Sequence, residues 1–274
     1  MAISVLTNVT SMLAQSNLGR ASGDLSDSMA RLSSGLRVRS AADDAAGLAI
    51  SEDFKAKTRG LNQARRNAND GVSLAQTADG SLKEIGGMLN RMRELAVQSA
   101  TGTINTSQRG YLNDEFTQLR SEIDRIAATT EFNGVSLLNG GSASGIDFQV
   151  GAGNTTNDRL TLSLATATSA ALSVSTNTIS TASKALSTIS MLDDAITAVS
   201  SRRGTIGAMQ NRLSVTMSNL DTYSTNLEAA NSRIVDVDVA SETARLTKQQ
   251  ILVQAGASML AQANQGPQIA LSLI

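Results

Sequence analysis

The chain of 274 residues contains no cysteine and no histidine. A Ser-His-Asp triad, a cysteine nucleophile, an HExxH zinc site and a CxxC redox motif are therefore excluded. Tryptophan is absent, tyrosine and phenylalanine number 2 and 4, and Pro267 is the only proline. So few aromatics suit a core of Leu, Ile and Ala on long helices better than a compact aromatic-anchored one. A net charge of −1 argues against nucleic acid, whose binders carry a basic excess or patch. The carboxylate pairs Asp43-Asp44 and Asp193-Asp194 have the chemistry for acid–base work. Neighbours on a helix, however, point about 100° apart, and solvated helix faces carry such pairs routinely. An enzyme is not expected, nor any cofactor or metal.

Charge is missing from both ends as well. Residues 1–19 carry none, and neither do the 26 residues from Gln249 to Ile274. The first stretch lacks the basic region that opens a signal peptide. The last contains six glutamines, which does not suit a membrane span of about 20 predominantly apolar residues. Within 251–263, nine of thirteen residues are aliphatic, Met or Ala. A helix apolar around most of its circumference expects burial on several sides. Two readings stay open here: surfaces for assembly with other copies, or one ordinary helical core.

Between the ends the period is seven. Phe54, Leu61, Ala68, Ala75, Leu82, Leu89 and Ala96 form one track, with Ala64, Gly71, Ala78, Ile85 and Met92 at the companion positions. A second runs Leu192, Val199, Ile206, Leu213, Leu220, Leu227, Ile234. Seven apolar residues in a row at one heptad position predict a coiled coil, and each track spans about 63 Å of helix at 1.5 Å per residue. Matched lengths predict that the two helices pack together, small residues of the first (Ala68, Gly71, Ala75, Ala78) facing large ones of the second. Leu112, Phe116, Leu119, Ile123 and Ile126 predict a shorter third helix with Ser107 as its N-cap. Together the three make a rod.

Residues 131–165 change to a period of two. Ile146, Phe148 and Val150 alternate with polar residues, as do Leu160, Leu162 and Leu164, and Gly-rich turns separate them. One or two small β-hairpins are expected, packed on one end of the rod. The Thr/Ser/Ala-rich stretch 165–183 reads as an exposed loop or a polar helix start. Toward the N-terminus, Leu18, Leu25 and Leu32 belong to a helix ending near Gly35, and Ser40 with Asp43 suggests a capping box opening the long helix. Arg37-Val38-Arg39 would lie in a connector between two packed units.

Four stretches resemble bacterial flagellin, in that family's order: RLSSGLRVRSAADDAAGLAI at 31–50, RELAVQSA at 93–100, EFNGVSLLNG at 131–140 and TKQQILVQAGASMLAQANQ at 247–265. FQVG at 148–151 and ALSLI at 270–274 agree too. Arg39 departs from a more usual Asn, and Val235 from a commonly charged position. The resemblance implies a short form without outer variable domains. Its fold would be mainly α: long antiparallel coiled-coil helices forming a rod, with a small β-hairpin region near 131–165. The terminal helices would form a second coiled-coil layer. Residues 1–40 plus 236–274 would make the terminal-helix domain and 41–235 the rod.

Such a subunit polymerises with itself into the extracellular filament that drives swimming, its terminal helices folding as they assemble. Ile3, Leu6, Leu13, Leu18, Leu25, Ile251, Leu252, Met259 and Leu260 would make the inner contacts. Export without a cleaved signal peptide through the flagellar type III channel is implied, with an export chaperone, a cap and hook-associated junction proteins as partners. Neither nucleic acid nor membrane insertion is. The stretch around Asn90–Gln98 resembles the region of flagellins recognised by the innate immune receptor TLR5, which would make Arg91, Leu95 and Glu115 contacts, with Gln98 beside them. A hook–filament junction protein and another coiled-coil secretion-system component are the rival readings.

Overall fold

A computed structural model describes residues 7–142 and 145–272. Its elements are α1 (Val9–Ser34), α2 (Ala45–Ala100), α3 (Thr106–Thr129), β1 (Glu131–Phe132), β2 (Val135–Ser136), β3 (Ile146–Gln149), β4 (Arg159–Leu162), α4 (Ala182–Val235) and α5 (Val239–Ser272). The chain divides into two compact units, Met1–Ala56 with Asn226–Ile274, and Lys57–Thr225.

The second unit holds the hydrophobic core. The heptad tracks meet there as expected: Leu61, Ala68, Ala75, Leu82, Leu89 and Ala96 of α2 and Leu192, Val199, Ile206 and Leu213 of α4 are all buried. Gly71 shows why the first track is small. A β-carbon on it would sit 3.2 Å from Leu213 Cδ1 and 3.1 Å from Phe148 Cδ1, so the glycine is the space into which α4 and the β3 hairpin both press. Ion pairs tie the two antiparallel helices along their length: Arg65–Asp221 at 3.5 Å, Asp79–Arg203 at 2.8 Å and Arg93–Asp193 at 2.6 Å. All are substantially exposed, so they add little stability. Their use is to set register.

α3 is capped two residues before the expected position. Asn105, not Ser107, accepts the Gln108 amide at 2.9 Å, while Gln108 Oε1 accepts the Asn105 amide at 3.0 Å. This reciprocal pair is a capping box with amides at both positions. Two antiparallel hairpins follow, β1 on β2 and β3 on β4. Phe148 and Leu162 turn inward and Asp147 and Thr161 outward, the alternation the period of two predicts. The Thr/Ser/Ala-rich stretch is a loop as far as α4. Polar side chains of α3 sew it down: Asp124 accepts from the Ser169 amide and hydroxyl at 2.8 and 2.7 Å, Asn113 accepts from Ile179 N at 3.0 Å, and Arg120 donates to Ser175 O at 2.7 Å. Leu172, Val174 and Ile179 of the same loop are buried.

In the first unit α1 ends on Gly35 at φ 72°, the left-handed cap expected there. α2 does not open at Ser40. Asp43 accepts from the Arg39 and Ser40 amides at 3.1 and 3.0 Å and from the Ser40 hydroxyl at 3.1 Å, closing a turn. Those donors, the Arg39 amide foremost, hold its carboxyl below the usual carboxylate range. The helix starts at Ala45 because Asp44 receives the Gly47 amide at 2.9 Å.

The connectors on either side then pair. Arg37 N donates to Val235 O at 2.6 Å and Val237 N to Gly35 O at 3.0 Å, and Leu36 forms an antiparallel bridge with Asp236. Val38 and Val235 are buried. The two departures from the flagellin pattern lie in this strap, where Arg39 pairs with Asp27 at 3.3 Å. Asp238 opens α5, its carboxylate accepting the Ala240 amide at 3.0 Å.

Gly71→Leu should destabilise the second unit by about 1–3 kcal/mol, the usual cost of overpacking. A lowered urea midpoint with α1 and α5 contributing no change of their own is the expected reading. An unchanged midpoint would mean the seam is loose.

Candidate functional site

The backbones of α1 and α5 run within 8 Å of each other along their seam. Small residues allow it. On α1 the seam is Ala14, Leu18, Ala21, Leu25 and Ser28, spaced 4-3-4-3. On α5 it is Glu242, Leu246, Gln249, Val253, Gly256 and Leu260, with the same alternation. A β-carbon on Gly256 would lie 3.2 Å from Leu18 Cδ1. Polar clasps hold the register: Asn8 Nδ2 donates to Ala263 O at 2.8 Å, Ser11 Oγ to Asn264 Oδ1 at 2.8 Å, and Gln249 Nε2 to Asp24 Oδ2 at 3.4 Å.

So narrow a seam buries little. Ala21 and Ser28 are the only buried residues of α1. Among the predicted inner contacts, Leu18, Leu25 and Leu260 lie on the seam and are half-buried. Leu13, Ile251, Leu252 and Met259 lie off it, 61%, 60%, 45% and 66% exposed. Leu13, Leu252 and Met259 line an open apolar groove of about 600 Å³ together with Ala14, Leu18 and Gly256. Ile3 and Leu6 fall outside the described residues. Sequence reasoning missed the clasp residues Asn8, Ser11 and Asn264 and the small members of the seam. The signal for the small seam residues is the seven-residue spacing of Ala14, Ala21 and Ser28, which carries no hydrophobic weight beside the leucines.

A charge-bearing patch lies elsewhere. Arg91 bridges α2 to α3, its Nε and Nη2 donating to Glu115 Oε1 at 2.9 and 2.8 Å and its Nη1 to Glu94 Oε2 at 3.0 Å. The bond to Glu115 above all, then that to Glu94, holds the guanidinium firmly protonated. Gln98 is exposed two turns beyond Arg91 along α2. Leu95, by contrast, is fully buried in the core. It presents no surface of its own. No group of acidic side chains among the described residues is arranged to hold a metal, and no described helix is long and apolar enough to cross a membrane.

A helix pair without charge over 9–19 and 249–272 and with an unfilled apolar flank suggests an assembling subunit, and comparison with known proteins agrees. Residues 5–143 match the bacterial flagellin N-terminal helical region, and residues 189–274 match the bacterial flagellin C-terminal helical region. The chain belongs to the flagellin family. A flagellin of Halalkalibacterium halodurans is 46% identical to it, over 97% of this chain and 98% of that protein. A flagellar filament 33 kDa core protein of Treponema phagedenis is 43% identical, again over 97% and 98%. In structure, a flagellin of Bacillus cereus superimposes with a TM-score of 0.51 at 34% identity, covering 61% of this chain and 94% of that one. Each half of the flagellin signature thus carries one helix of the α1–α5 pair, and neither helix has its seam partner in its own half.

Filling the notch at Gly256 should part this flagellin's terminal helices. Gly256→Val is expected to lower the temperature at which α1 and α5 melt in assembled protein by an amount equivalent to about 1 kcal/mol, the low end of overpacking. Gly256→Ala, whose methyl Leu18 can clear by rotating, should lower it less. Circular dichroism melts of the two variants decide it, and equal melting of all three proteins would refute the notch.

Proposed function

We propose that this chain is the structural subunit of an extracellular bacterial flagellar filament and has no enzymatic role. The observation that carries this is the pairing of two helices, uncharged over 9–19 of α1 and 249–272 of α5, that leaves Leu13, Ile251, Leu252 and Met259 open. Each such side chain offers up to about 1.5–3 kcal/mol on full burial, and residues 9–19 and 249–272, on which they stand, carry no charge. Contacts between unlike faces of successive copies generate an open helical fibre. Residues 1–40 and 236–274 then form the inner layer, with Leu18, Leu25 and Leu260 holding the pair and the four exposed residues meeting other copies. Residues 41–235 form the outer rod.

Segments that cannot bury enough apolar surface alone stay disordered, so the inner layer completes its folding as the subunit is incorporated. By likeness to the family, the subunit leaves the cell through the flagellar type III channel, escorted by an export chaperone, and meets the cap and hook-associated proteins at its destination. Untagged protein should gain helix by circular dichroism on seeding and form long regular tubes by electron microscopy. Met259→Glu, which must bury a charge, should keep the heptad core folded and form no tubes. A chain that is fully helical before seeding and remains monomeric would overturn the reading.

A second role concerns host recognition. Arg91, Glu115 and Gln98 are exposed on adjoining helices, in the stretch that resembles the part of flagellins sensed by TLR5. Leu95 is buried in the core and offers no contact surface of its own. Monomer should activate a TLR5 reporter and Arg91→Ala should do so at least about tenfold more weakly, the loss of a charge-assisted contact. Silence from both proteins sinks this role and leaves the filament reading untouched.

A further inference from the structure

Buried polar side-chain atoms without a hydrogen-bond partner are concentrated in one place. Apart from Arg202, every such residue among those described belongs to the unit with the terminal helices: Arg31, Arg39, Ser51, Asn231, Glu242 and Gln249. Two of them face each other. The register that sets Asp24 against Gln249 and Leu18 against Gly256 sets Arg31 of α1 against Glu242 in the first turn of α5. Both line a cavity of about 300 Å³.

Neither side chain is well served where it stands. Glu242 is 5% exposed, its Oε2 is 3.7 Å from Arg245 Nη1, and its Oε1 has no donor. Arg31 reaches Asp43 through Nη2 at a long 3.4 Å, and its buried Nε has no acceptor. The remaining charged groups around the cavity are occupied. Arg37 Nη2 donates to Ile234 O, and Asp238 accepts from the Ala240 and Ser241 amides. An orphaned donor and an orphaned acceptor of opposite charge therefore share one space.

We propose that Arg31 and Glu242 form a latch, in which Arg31 exchanges its carboxylate partner between Asp43 and Glu242. The exchange has an asymmetric cost. When Arg31 leaves, Asp43 still accepts from Arg39 N, Ser40 N and Ser40 Oγ, so no acceptor is stranded. When Arg31 arrives, Glu242 gains the donor it lacks, and a buried carboxylate oxygen without one is expensive. On Asp43, Arg31 ties α1 to the turn before α2. On Glu242 it ties α1 to α5 at the strap end of their seam. The latch thus decides whether the terminal pair is closed at its base, independently of the apolar contacts further along.

The test is a double-mutant cycle on the full-length chain, with Arg31→Gln, Glu242→Gln and both, read by amide exchange of residues 24–34. Each single variant should lose about fivefold in protection and the double variant no more than either, the non-additivity of a shared contact. In parallel, the Arg31 Nε–H resonance should shift in opposite directions with Glu242→Gln and with Asp43→Asn, each variant driving Arg31 to the remaining carboxylate. Since glutamine is isosteric with glutamate, and the resonance is observable in the unaltered chain, loss of folding does not obscure the answer. Additive losses, or a resonance that follows Asp43→Asn alone, would overturn the latch and leave Glu242 served by a buried water only.

Discussion

The constraint that organises this molecule is the narrowness of the α1–α5 seam. Helices that approach within 8 Å must place small residues between them, and small residues bury little apolar area. Ala14, Ala21 and Gly256 purchase proximity at the expense of enclosure, so Leu13, Ile251 and Met259 remain outside. Had the seam been filled with leucine, the pair would have been self-sufficient and its flanks free to carry charge. The absence of charge from the first 19 and last 26 residues is the chemical counterpart of that geometry: a flank that will be covered cannot keep a charge without a partner.

The heptad core obeys the opposite rule. There α2 supplies small residues and α4 large ones, with Phe148 wedged against Gly71, so close approach and full enclosure coexist. Three exposed ion pairs along α2 and α4 contribute little energy but penalise a slipped register, because a one-heptad shift would break all three together with the small–large match. The core is therefore the part that can stand alone, and the terminal pair the part that is conditional.

Much of this was legible in the sequence. Heptad tracks placed α2 and α4, the period of two placed the β3–β4 hairpin, and Gly35 ended α1. What escaped were choices between neighbouring polar residues. Asn105 outcompeted Ser107 because Gln108 could return its hydrogen bond. Asp43 spent its carboxylate on a turn and left the helix start to Asp44. The 165–181 loop gave no pattern because its anchors, Asn113, Arg120 and Asp124, belong to another element. At the terminal pair, hydrophobicity pointed to Leu13, Ile251, Leu252 and Met259, yet the residues that touch across the seam are partly the inconspicuous ones. Leu95 lies on the heptad helix but off both heptad tracks, so its full burial was not legible from the seven-residue period alone.

Asn8 and Ala263, joined by a hydrogen bond, are 255 residues apart in the chain. No shorter route to that contact exists, since each helix of the pair has its partner at the other terminus. A chain that enters a new compartment one end first must therefore deliver its whole length before either terminal helix can find the other. Each intervening hairpin and heptad can close earlier, from contacts nearer in sequence. The order of events is written into the topology: whichever terminus arrives first waits, and the last segment to arrive completes the first.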